Sequence, residues 1–245
     1  MKSYLSLVPI SAKVRKRQNR MTILCVIISI FLVTAIFSVA DMMIRTQSDR
    51  MTGKNGSWHI ELDGISQETA LKIAERDDVV SIGAVTIFNP DGELPYRMDG
   101  KRVVLYGIDE SYLTMNSTGA AEGRFPQGMG EIMLSSNAAR VLQVAVGDTV
   151  TLRTPSGDWD FTVSGLGGVE ESYYSGQYSL MDAYLPRTAF AALLEQNNVH
   201  NLQTSYYVQF TSASKAAKAI PELTAQHNLP ENAVSENTGV MKSEA

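Results

Sequence analysis

The sequence contains few of the residues that build disulfide frameworks or metal sites. Cys25 is the single cysteine among 245 residues, so no disulfide can staple the fold, which must rely on an apolar core. The three histidines, His59, His200 and His227, are widely separated and have no cysteine or carboxylate at metal-ligand spacing. His59 adjoins an aromatic residue and is interpreted as packing at a surface or rim. We therefore expect no metal site and no cofactor.

Motifs for enzyme chemistry are also missing. The sequence has no G-x-S-x-G nucleophile elbow and no G-x-x-x-x-G-K-[ST] phosphate loop. Two Gly-rich stretches, residues 52–57 and 165–168, resemble phosphate loops only superficially and are interpreted as flexible turns. We expect no catalytic residue, and a membrane-tethered enzyme is the least favoured of the functions considered.

Acidic residues are absent from the first 40 positions, whereas the rest of the chain has an excess of them. Six of the 21 basic residues precede Met21, which leaves 15 basic against 26 acidic residues and a net charge of −11 after that point. Neutralising phosphates requires a basic face, so the main domain is not expected to bind nucleic acid. The basic start, beside an apolar run, is interpreted as an orientation signal that contacts anionic lipid.

The sequence has only one long hydrophobic run, residues 21–40, and no second run follows it. About 20 residues, each rising about 1.5 Å in a helix, match the roughly 30 Å hydrocarbon core of a bilayer. Because the preceding segment is basic, the positive-inside rule predicts a cytoplasmic N-terminus and an exported remainder after Asp41. The residues that carry this topology signal are Lys13, Arg15, Lys16, Arg17 and Arg20.

A cleaved secretory signal is the alternative interpretation of this run. Ser38-Val39-Ala40 satisfies the small-x-small cleavage pattern, but the run is longer than the 7–15 residues of an ordinary signal core. A retained anchor is therefore favoured. The predicted organisation is a cytoplasmic basic segment over residues 1–20, a transmembrane helix with its extension over 21–44, and an extracytoplasmic domain over 55–245. Plasma (inner) membrane is the expected location.

Short elements of both kinds predict an α+β fold, rather than a Rossmann or barrel fold, for the exported domain. Strand–helix units are expected over 57–88 and 204–240, and a β-rich insertion over 100–190. Ser66 is the expected N-cap of a helix that runs to Arg76, and the turn at 154–158 separates two alternating runs as in a hairpin. Pro221 is expected to kink or divide the last long helix.

A polar loop with clustered tyrosines is the one candidate contact surface. Tyr173, Tyr174 and Tyr178 lie between Gly168 and Leu180. Exposed tyrosine provides contact area at a low entropic cost, so these residues are possible partner contacts. A loop that folds back onto its own domain is an equally good interpretation.

Three ordered segments resemble the MacB/FtsX-like ABC transporter permeases. They are AEGRFP at 121–126, EIMLSSNAA at 131–139 and VGDTVTL at 146–152. The extracytoplasmic domains of that family commonly have a "GR-F … E-(I/V)-x-L … A … GD-x-(I/V)-x-L" pattern followed by a β-hairpin. The basic segment and the first span also look like the opening of that family. The motif residues are interpreted as scaffold and not as a binding site.

The resemblance implies a permease subunit without catalytic activity of its own, paired with a separate cytoplasmic ABC ATPase. Members of the family have four spans, and the large exported domain lies between the first and the second. ATPase dimerisation would move the first span and drive export or mechanical work outside the membrane. Because one span is present, we expect a fragment of a four-span permease or a complete single-span protein.

The partners implied are the ATPase, membrane lipid, a second permease subunit or the remaining permease half, and a peptide cargo. The alternative function, of a different class, is a single-span cell-surface binding or sensor module without transport activity. In that alternative the tyrosine loop would be the contact surface.

Overall fold

The computed structural model describes residues 16–116, 120–167 and 180–244, and the structural statements below refer to these residues. The chain divides into two compact units between Asp49 and Arg50. Each unit is described by itself.

The first unit is dominated by helix α1, Lys16–Asn55, whose last turns belong to the second unit. Its segment Arg20–Met43 has a mean hydropathy of 2.9 and is the one helix in the described ranges that is long and apolar enough to cross a membrane. Three hydroxyl groups within this segment donate hydrogen bonds to the carbonyl oxygen four residues earlier, so the helix satisfies them itself. They belong to Thr22, Ser29 and Thr34.

The second unit has a mixed α and β composition. Its strands are β1 (Ile60–Asp63), β2 (Val79–Phe88), β3 (Arg97–Met98), β4 (Lys101–Ile108), β5 (Ala120–Gly123), β6 (Glu131–Ser135), β7 (Thr149–Thr154), β8 (Gly157–Gly167), β9 (Met181–Pro186), β10 (Thr204–Phe210) and β11 (Val234–Glu236). Its helices are α2 (Gln67–Ala74), α3 (Glu110–Met115), α4 (Ser136–Leu142), α5 (Arg187–Gln196), α6 (Ala213–His227) and α7 (Thr238–Ser243), with a 3-10 turn at Glu231–Ala233.

Four strands, in the order β11-β1-β10-β2, form an antiparallel layer that we call the flanking sheet. Strand β1 comes from the start of the unit, whereas β10 and β11 come from its end. Helices α2 and α6 contribute Ile73, Ala219 and Leu223 to an apolar cluster with Ile60 and Phe210 of the sheet. The flanking sheet therefore joins distant parts of the chain around one small core.

Six strands between these parts close into a ring, which we call the barrel. In order the pairs are β4–β3, β3–β7, β7–β8, β8–β6, β6–β9 and β9–β4, of which β8–β6 and β9–β4 are parallel. Its interior is filled by the largest apolar cluster, which includes Leu105, Leu134, Leu152, Phe161 and Leu185. Helices α4 and α5 add Ala138, Phe190 and Leu193. Closure removes the free edges of these strands.

Strand β4 connects the barrel to the flanking sheet. One of its edges pairs with β3 at its start and with β2 at its end, through Val85↔Ile108 to Phe88↔Leu105. Between the two regions lies a third apolar cluster that includes Val85, Ile108, Leu113 and Tyr184.

The predicted α+β fold class, with an apolar N-terminal helix, is confirmed. The Ser66 hydroxyl accepts a hydrogen bond from Thr69 N at 3.1 Å and caps α2, as expected. The hairpin of β7 and β8 turns at the predicted position. The exclusion of a barrel was wrong for the β-rich part, because the pairing of β9 with both β4 and β6 cannot be read from short local patterns.

Four local expectations were wrong. Helix α1 does not break at Thr52 but continues to Asn55. A glycine inside a helix, such as Gly53, lowers helix stability by only about 1 kcal/mol relative to alanine. Of the two glycines in residues 52–57, Gly56 is the one with a positive φ. Pro221 does not divide its helix, because the apolar residues on both sides of it stay packed on the flanking sheet. Residues 165–167 form the end of β8 and not a turn. His59 is buried, with 2% of its surface exposed.

Candidate functional site: the helix-to-sheet joint

The candidate site lies where α1 ends and the sheet begins. We call it the helix-to-sheet joint and define it as residues 56–58 together with Tyr112, Met115 and Tyr207. All of these residues belong to the second unit. The joint is a distinct feature of the fold because the residues that connect α1 to β1 are held by later parts of the chain.

Gly56 ends α1 in a left-handed conformation with a φ of +79°. A Cβ atom at this position would lie 2.6 Å from the Met115 carbonyl oxygen and 2.8 Å from Cδ1 of Trp58. Both the backbone angle and the space therefore require glycine. The next residue, Ser57, donates its backbone N–H to the same Met115 oxygen at 2.5 Å, and its hydroxyl group contacts that oxygen at 3.3 Å. The chain that leaves α1 is thus bonded directly to the end of α3.

Three aromatic rings pack in series beside this backbone contact. Trp58 meets Tyr207 edge-to-face with ring centroids 4.9 Å apart, and Tyr207 meets Tyr112 edge-to-face at 5.1 Å. Such pairs contribute about 0.5–1.5 kcal/mol each beyond their buried area. The rings connect the residue after α1 with β10 and with α3.

Helix α3 is itself fixed to β2 by one carboxylate. Asp109 caps α3 by accepting a hydrogen bond from Tyr112 N at 2.9 Å, and its second oxygen accepts one from Ala84 N at 2.9 Å. Burial raises the pKa of Asp109, and these two backbone hydrogen bonds act against that rise. A Cβ atom on Gly83 would lie 2.5 Å from Tyr112 N, so a glycine in β2 lets the helix approach the strand.

A half-buried carboxylate extends the joint into the flanking sheet. The Tyr207 hydroxyl group donates to Glu61 at 2.7 Å, across the β1–β10 pair. Burial raises the pKa of Glu61, which the Tyr207 hydrogen bond partly offsets. Burial, followed by that hydrogen bond, raises the pKa of Tyr207 as well. Tyr207 is therefore protonated across the physiological range and stays a donor.

Helix α7 is fastened to the two residues that precede β1. The His59 ring accepts a hydrogen bond from Phe210 N at 3.1 Å through Nδ1, which places the proton of the neutral ring on Nε2. Nε2 lies 3.0 Å from a Glu244 carboxylate oxygen, which also accepts from Ala213 N at the start of α6. Asn237 donates its side-chain amide to Trp58 O at 2.9 Å. The last part of the chain is thereby bonded to residues 58 and 59.

The family-like motif segments lie on the barrel and form a structural turn. Arg124 makes a two-pronged ion pair with Glu131, and Glu131 also accepts from Gln127 N at 2.9 Å and Gly128 N at 3.2 Å. The Arg124 hydrogen bonds, followed by the Gln127 backbone bond, lower the pKa of Glu131 to about 2. The carboxylate is thus charged at neutral pH and holds the turn closed.

Glycines in these segments let two backbones touch. A Cβ atom on Gly123 would lie 2.3 Å from Ser164 O, and one on Gly165 would lie 2.4 Å from Arg124 O. Phe125 packs against the cluster between the barrel and the flanking sheet. The motif residues therefore act as scaffold in this structure.

The residues selected from the sequence lie away from the joint or outside the described ranges. Lys16, Arg17 and Arg20 lie in the first turns of α1, where Lys16 and Arg20 are exposed. Lys13 and Arg15 lie outside the described residues, as do Tyr173, Tyr174 and Tyr178. Within the described ranges, no group of three histidine, cysteine or acidic residues is arranged to hold a metal ion.

The joint was not found from the sequence, although one of its residues gave a local signal. Gly56 stands out as a glycine after a helical run, which is typical of a helix C-terminus. The aromatic contacts between Trp58, Tyr112 and Tyr207 join positions more than 50 residues apart, and nothing in the local pattern connects them.

The comparison with protein families identifies the molecule. The model of the MacB-like periplasmic core domain matches residues 21–226. The chain belongs to this family. No curated protein matches it. Because the MacB-like match begins within the apolar helix, it includes the whole helix-to-sheet joint.

One solved structure shares the fold at low sequence identity, and a second is similar to a lesser degree. The periplasmic region of MacB from Actinobacillus actinomycetemcomitans superposes with a TM-score of 0.55 and 15% identity, over 79% of this chain and 94% of that one. The extracellular domain of the noncanonic ABC-type transporter YknZ from Gram-positive bacteria gives a TM-score of 0.49 and 17% identity, over 70% and 88% of the two chains. The first of these likenesses supports the same arrangement of sheet and barrel.

The family gives the coarse function. The chain is a MacB-like periplasmic core domain of the kind found in ABC-type transporter permeases, preceded by an apolar helix. This combination indicates a membrane protein with an extracytoplasmic domain. Its relatives are components of transporters.

Proposed function

We propose that this chain is a mechanical relay of an ABC transporter permease. In this proposal α1 crosses the membrane with its N-terminus in the cytoplasm, where a separate ATPase subunit drives its movement. The helix-to-sheet joint passes that movement to the extracytoplasmic domain, which exports a cargo such as a peptide or acts on partners outside the membrane. A second permease subunit, or the remaining half of a permease, completes the transporter, and α1 contacts lipid.

The observation that carries the proposal is the way in which α1 ends. A relay needs a stiff element and a stiff attachment. Helix α1 is continuous over 40 residues, from Lys16 to Asn55, and it passes into β1 through only a few residues. Those residues are bonded to Met115 and stacked on Tyr207. A flexible linker at this point would absorb a displacement, whereas the joint restrains it.

The proposed orientation of α1 in the membrane is based on the basic residues that precede its apolar segment. Lys13, Arg15, Lys16, Arg17 and Arg20 precede the apolar segment, and no acidic residue does. The positive-inside rule then favours a cytoplasmic N-terminus. This arrangement puts the start of α1 on the side where an ATPase has access to ATP.

Two measurements test the topology and the partnership. With Cys25 replaced by serine, a single cysteine at Lys2 or at the exposed Ser156 is labelled in intact cells with a membrane-impermeant maleimide. We expect labelling at position 156 and none at position 2. The tagged full chain, expressed with the ABC ATPase encoded nearest to it, is then purified from membranes. We expect the ATPase to co-purify.

A variant of the joint tests the relay itself. Gly56→Ala should leave the ATPase bound but remove the effect of the permease on the rate of ATP hydrolysis in the reconstituted complex. Gly147→Ala is the control, because Gly147 also has a positive φ (+97°) but lies in an open turn before β7, where an added Cβ would have no atom within 4 Å. Normal coupling in Gly56→Ala would contradict the relay. Failure of any ATPase to co-purify would favour a single-span binding or sensor module instead.

A further inference from the structure

The outer face of the barrel carries two short rows of charged side chains, which we call the charged face. The first row crosses four strands at directly paired positions and consists of Arg102, Arg97, Arg153 and Asp158. The second row lies two residues further along and consists of Asp99, Thr151 and Asp160. Because side chains alternate along a strand, the strand residues of both rows point away from the apolar interior that contains Met98 and Leu152. Asp99 lies in the turn after β3 and is exposed.

The first row violates a rule of sheet construction. Arg97 is paired with Arg102 on one side and with Arg153 on the other, and like charges at directly opposite positions are destabilising. The domain is acidic overall, so carboxylates are plentiful. Conflicts of this kind, where a local rule is broken, concentrate at functional sites.

Neighbouring carboxylates do not neutralise the central arginine. In the described part of the chain, Arg97 uses one nitrogen, Nη1, for the carbonyl oxygens of Gly92 at 3.0 Å and Tyr96 at 3.1 Å. Arg153 meets Asp158 only through Nε, at 3.3 Å. The remaining guanidinium nitrogens of both residues are therefore oriented by their contacts and still able to donate.

A cavity of about 370 Å³ lies between the two rows. It is lined by Arg97 and Arg153 on one side and by Asp99, Gly100 and Thr151 on the other. Rows two residues apart on a strand are separated by about 7 Å. None of the ion pairs among the described residues joins Asp99 to either arginine. The cavity thus presents two guanidinium groups and one carboxylate that forms no ion pair with either of them.

We propose that the charged face binds a small zwitterion. The anionic group of the ligand, a phosphate or a carboxylate, lies between Arg97 and Arg153, where planar guanidinium groups bind such oxygens in pairs. Its ammonium group lies against Asp99. An amino acid and a phosphoethanolamine head group share this chemistry. A simple anion would satisfy the arginines but would be repelled by Asp99.

Calorimetric titration of the full chain in detergent micelles tests the proposal with four probes. They are phosphoethanolamine, β-alanine, inorganic phosphate and ethanolamine. We expect at least one of the two zwitterions to bind at least tenfold more tightly than inorganic phosphate and than ethanolamine. Preference for phosphoethanolamine identifies the head-group source, and preference for β-alanine identifies the amino-acid source. The proposal is overturned if neither zwitterion binds at millimolar concentration, or if neither binds more tightly than inorganic phosphate.

Two substitutions assign the roles of the two rows. Asp99→Asn keeps the residue type that the Asp99-Gly100 turn requires, since both positions have a positive φ, and should abolish the preference for zwitterion over phosphate. Arg153→Gln, at an exposed position, should weaken zwitterion binding about tenfold. Arg140→Gln, on α4, removes an exposed arginine elsewhere on the barrel and should change nothing. Unaltered binding in both Asp99→Asn and Arg153→Gln contradicts the site, and unaltered thermal unfolding shows that the variants remain folded.

Discussion

The flanking sheet and the barrel are built on opposite principles. The barrel takes its strands from one continuous region, closes them into a ring and fills the ring with apolar side chains. The flanking sheet takes strands from both ends of the domain and leaves β11 at an open edge, where it pairs only with β1. A closed ring moves as a unit, whereas an open sheet can yield at its edge. The two regions are therefore expected to differ in local stability.

Polar contacts fasten the helices of the flanking sheet in addition to its apolar core. The His59–Glu244 contact and the Asn237 amide hold α7, and Arg76 bonds both Asp78 and Glu222, which joins the end of α2 to α6. A hydrogen bond depends on the direction of its donor and acceptor as well as on their distance, whereas apolar burial is non-directional. These directional contacts fix the positions of α6 and α7 on the flanking sheet.

The comparison can be tested directly, because each region contains one of the two tryptophans. Trp58 reports on the flanking sheet and Trp159 on the barrel, so the Trp159→Phe and Trp58→Phe backgrounds isolate the two signals. Leu105→Ala in the barrel and Leu62→Ala in the flanking sheet remove identical groups from sites with no exposed surface. Each should lower the free energy of unfolding of its own region by about 3 kcal/mol, from lost burial and a new cavity.

Urea unfolding followed by fluorescence in the two backgrounds measures this effect. We expect Leu105→Ala to shift the Trp159 transition more than the Trp58 transition, and Leu62→Ala to do the reverse. Equal shifts of both signals in both variants would mean that the two regions unfold as one cooperative unit.

Gly56→Ala should produce the next largest effect, confined to the joint. A Cβ at Gly56 meets the Met115 carbonyl oxygen and also opposes the positive φ, so we expect a cost of about 2 kcal/mol. Gly100→Ala has the same φ of +79° without the steric contact. The difference between the two variants isolates the packing of the joint from backbone strain.

Hydrogen exchange measures where this cost appears. Amide protection should fall at residues 57–62 and 110–116 in Gly56→Ala, while the barrel strands stay protected. Loss of protection throughout the barrel would show that the joint is part of a larger cooperative unit.

The contact between His59 and α7 should have a smaller effect. His59→Leu removes the acceptor of Phe210 N and the partner of Glu244, and leaving a buried N–H unsatisfied costs about 1–3 kcal/mol. We expect faster hydrogen exchange at Phe210 and across α7. Glu244→Gln is the matched control, since it keeps an oxygen acceptor for His59 and Ala213 and should perturb α7 less. Equal exchange rates in the two variants would show that His59 does not fasten this helix.

Sequence patterns predicted the elements of both regions better than their connections. The N-cap at Ser66 and the hairpin at 154–158 depend on neighbouring residues, and both were found. The parallel pairing of β9 with β4 joins Val103 to Met181, and the packing of Trp58 on Tyr207 joins residues 149 positions apart. These contacts depend on tertiary packing, which local sequence patterns do not predict.

The site was the least predictable part. The motif turn at Gly123-Arg124 stands out in the sequence because it resembles a family pattern, and the structure gives it a scaffold role. The burial of His59 was missed, since one histidine in an alternating strand gives no indication of its partners Phe210 and Glu244 from the end of the domain. Residues from opposite ends of a chain meet only once the fold is known.

The smallest predicted difference between the two regions is a difference in pH dependence. On the barrel, the Arg124 hydrogen bonds lower the pKa of Glu131 from 4.5 to about 2. Its contribution to stability is therefore complete above pH 4.5 and is lost as the pH falls toward 2. In the flanking sheet, burial raises the pKa of Glu61 above 4.5. Its contribution is complete below pH 4.5 and is lost as the pH rises through the folded-state value.

In urea midpoints recorded against pH with the two tryptophan reporters, the contributions of Glu131 and Glu61 should therefore have opposite signs, each measured as the difference between the parent and the substituted chain. Glu131→Gln should flatten the rise seen by Trp159, and Glu61→Gln should flatten the fall seen by Trp58. Both effects are modest, because Glu131 is close to solvent and Tyr207 partly offsets the burial of Glu61. Slopes of the same sign, unchanged by these substitutions, would show that other carboxylates control the acid stability of both regions.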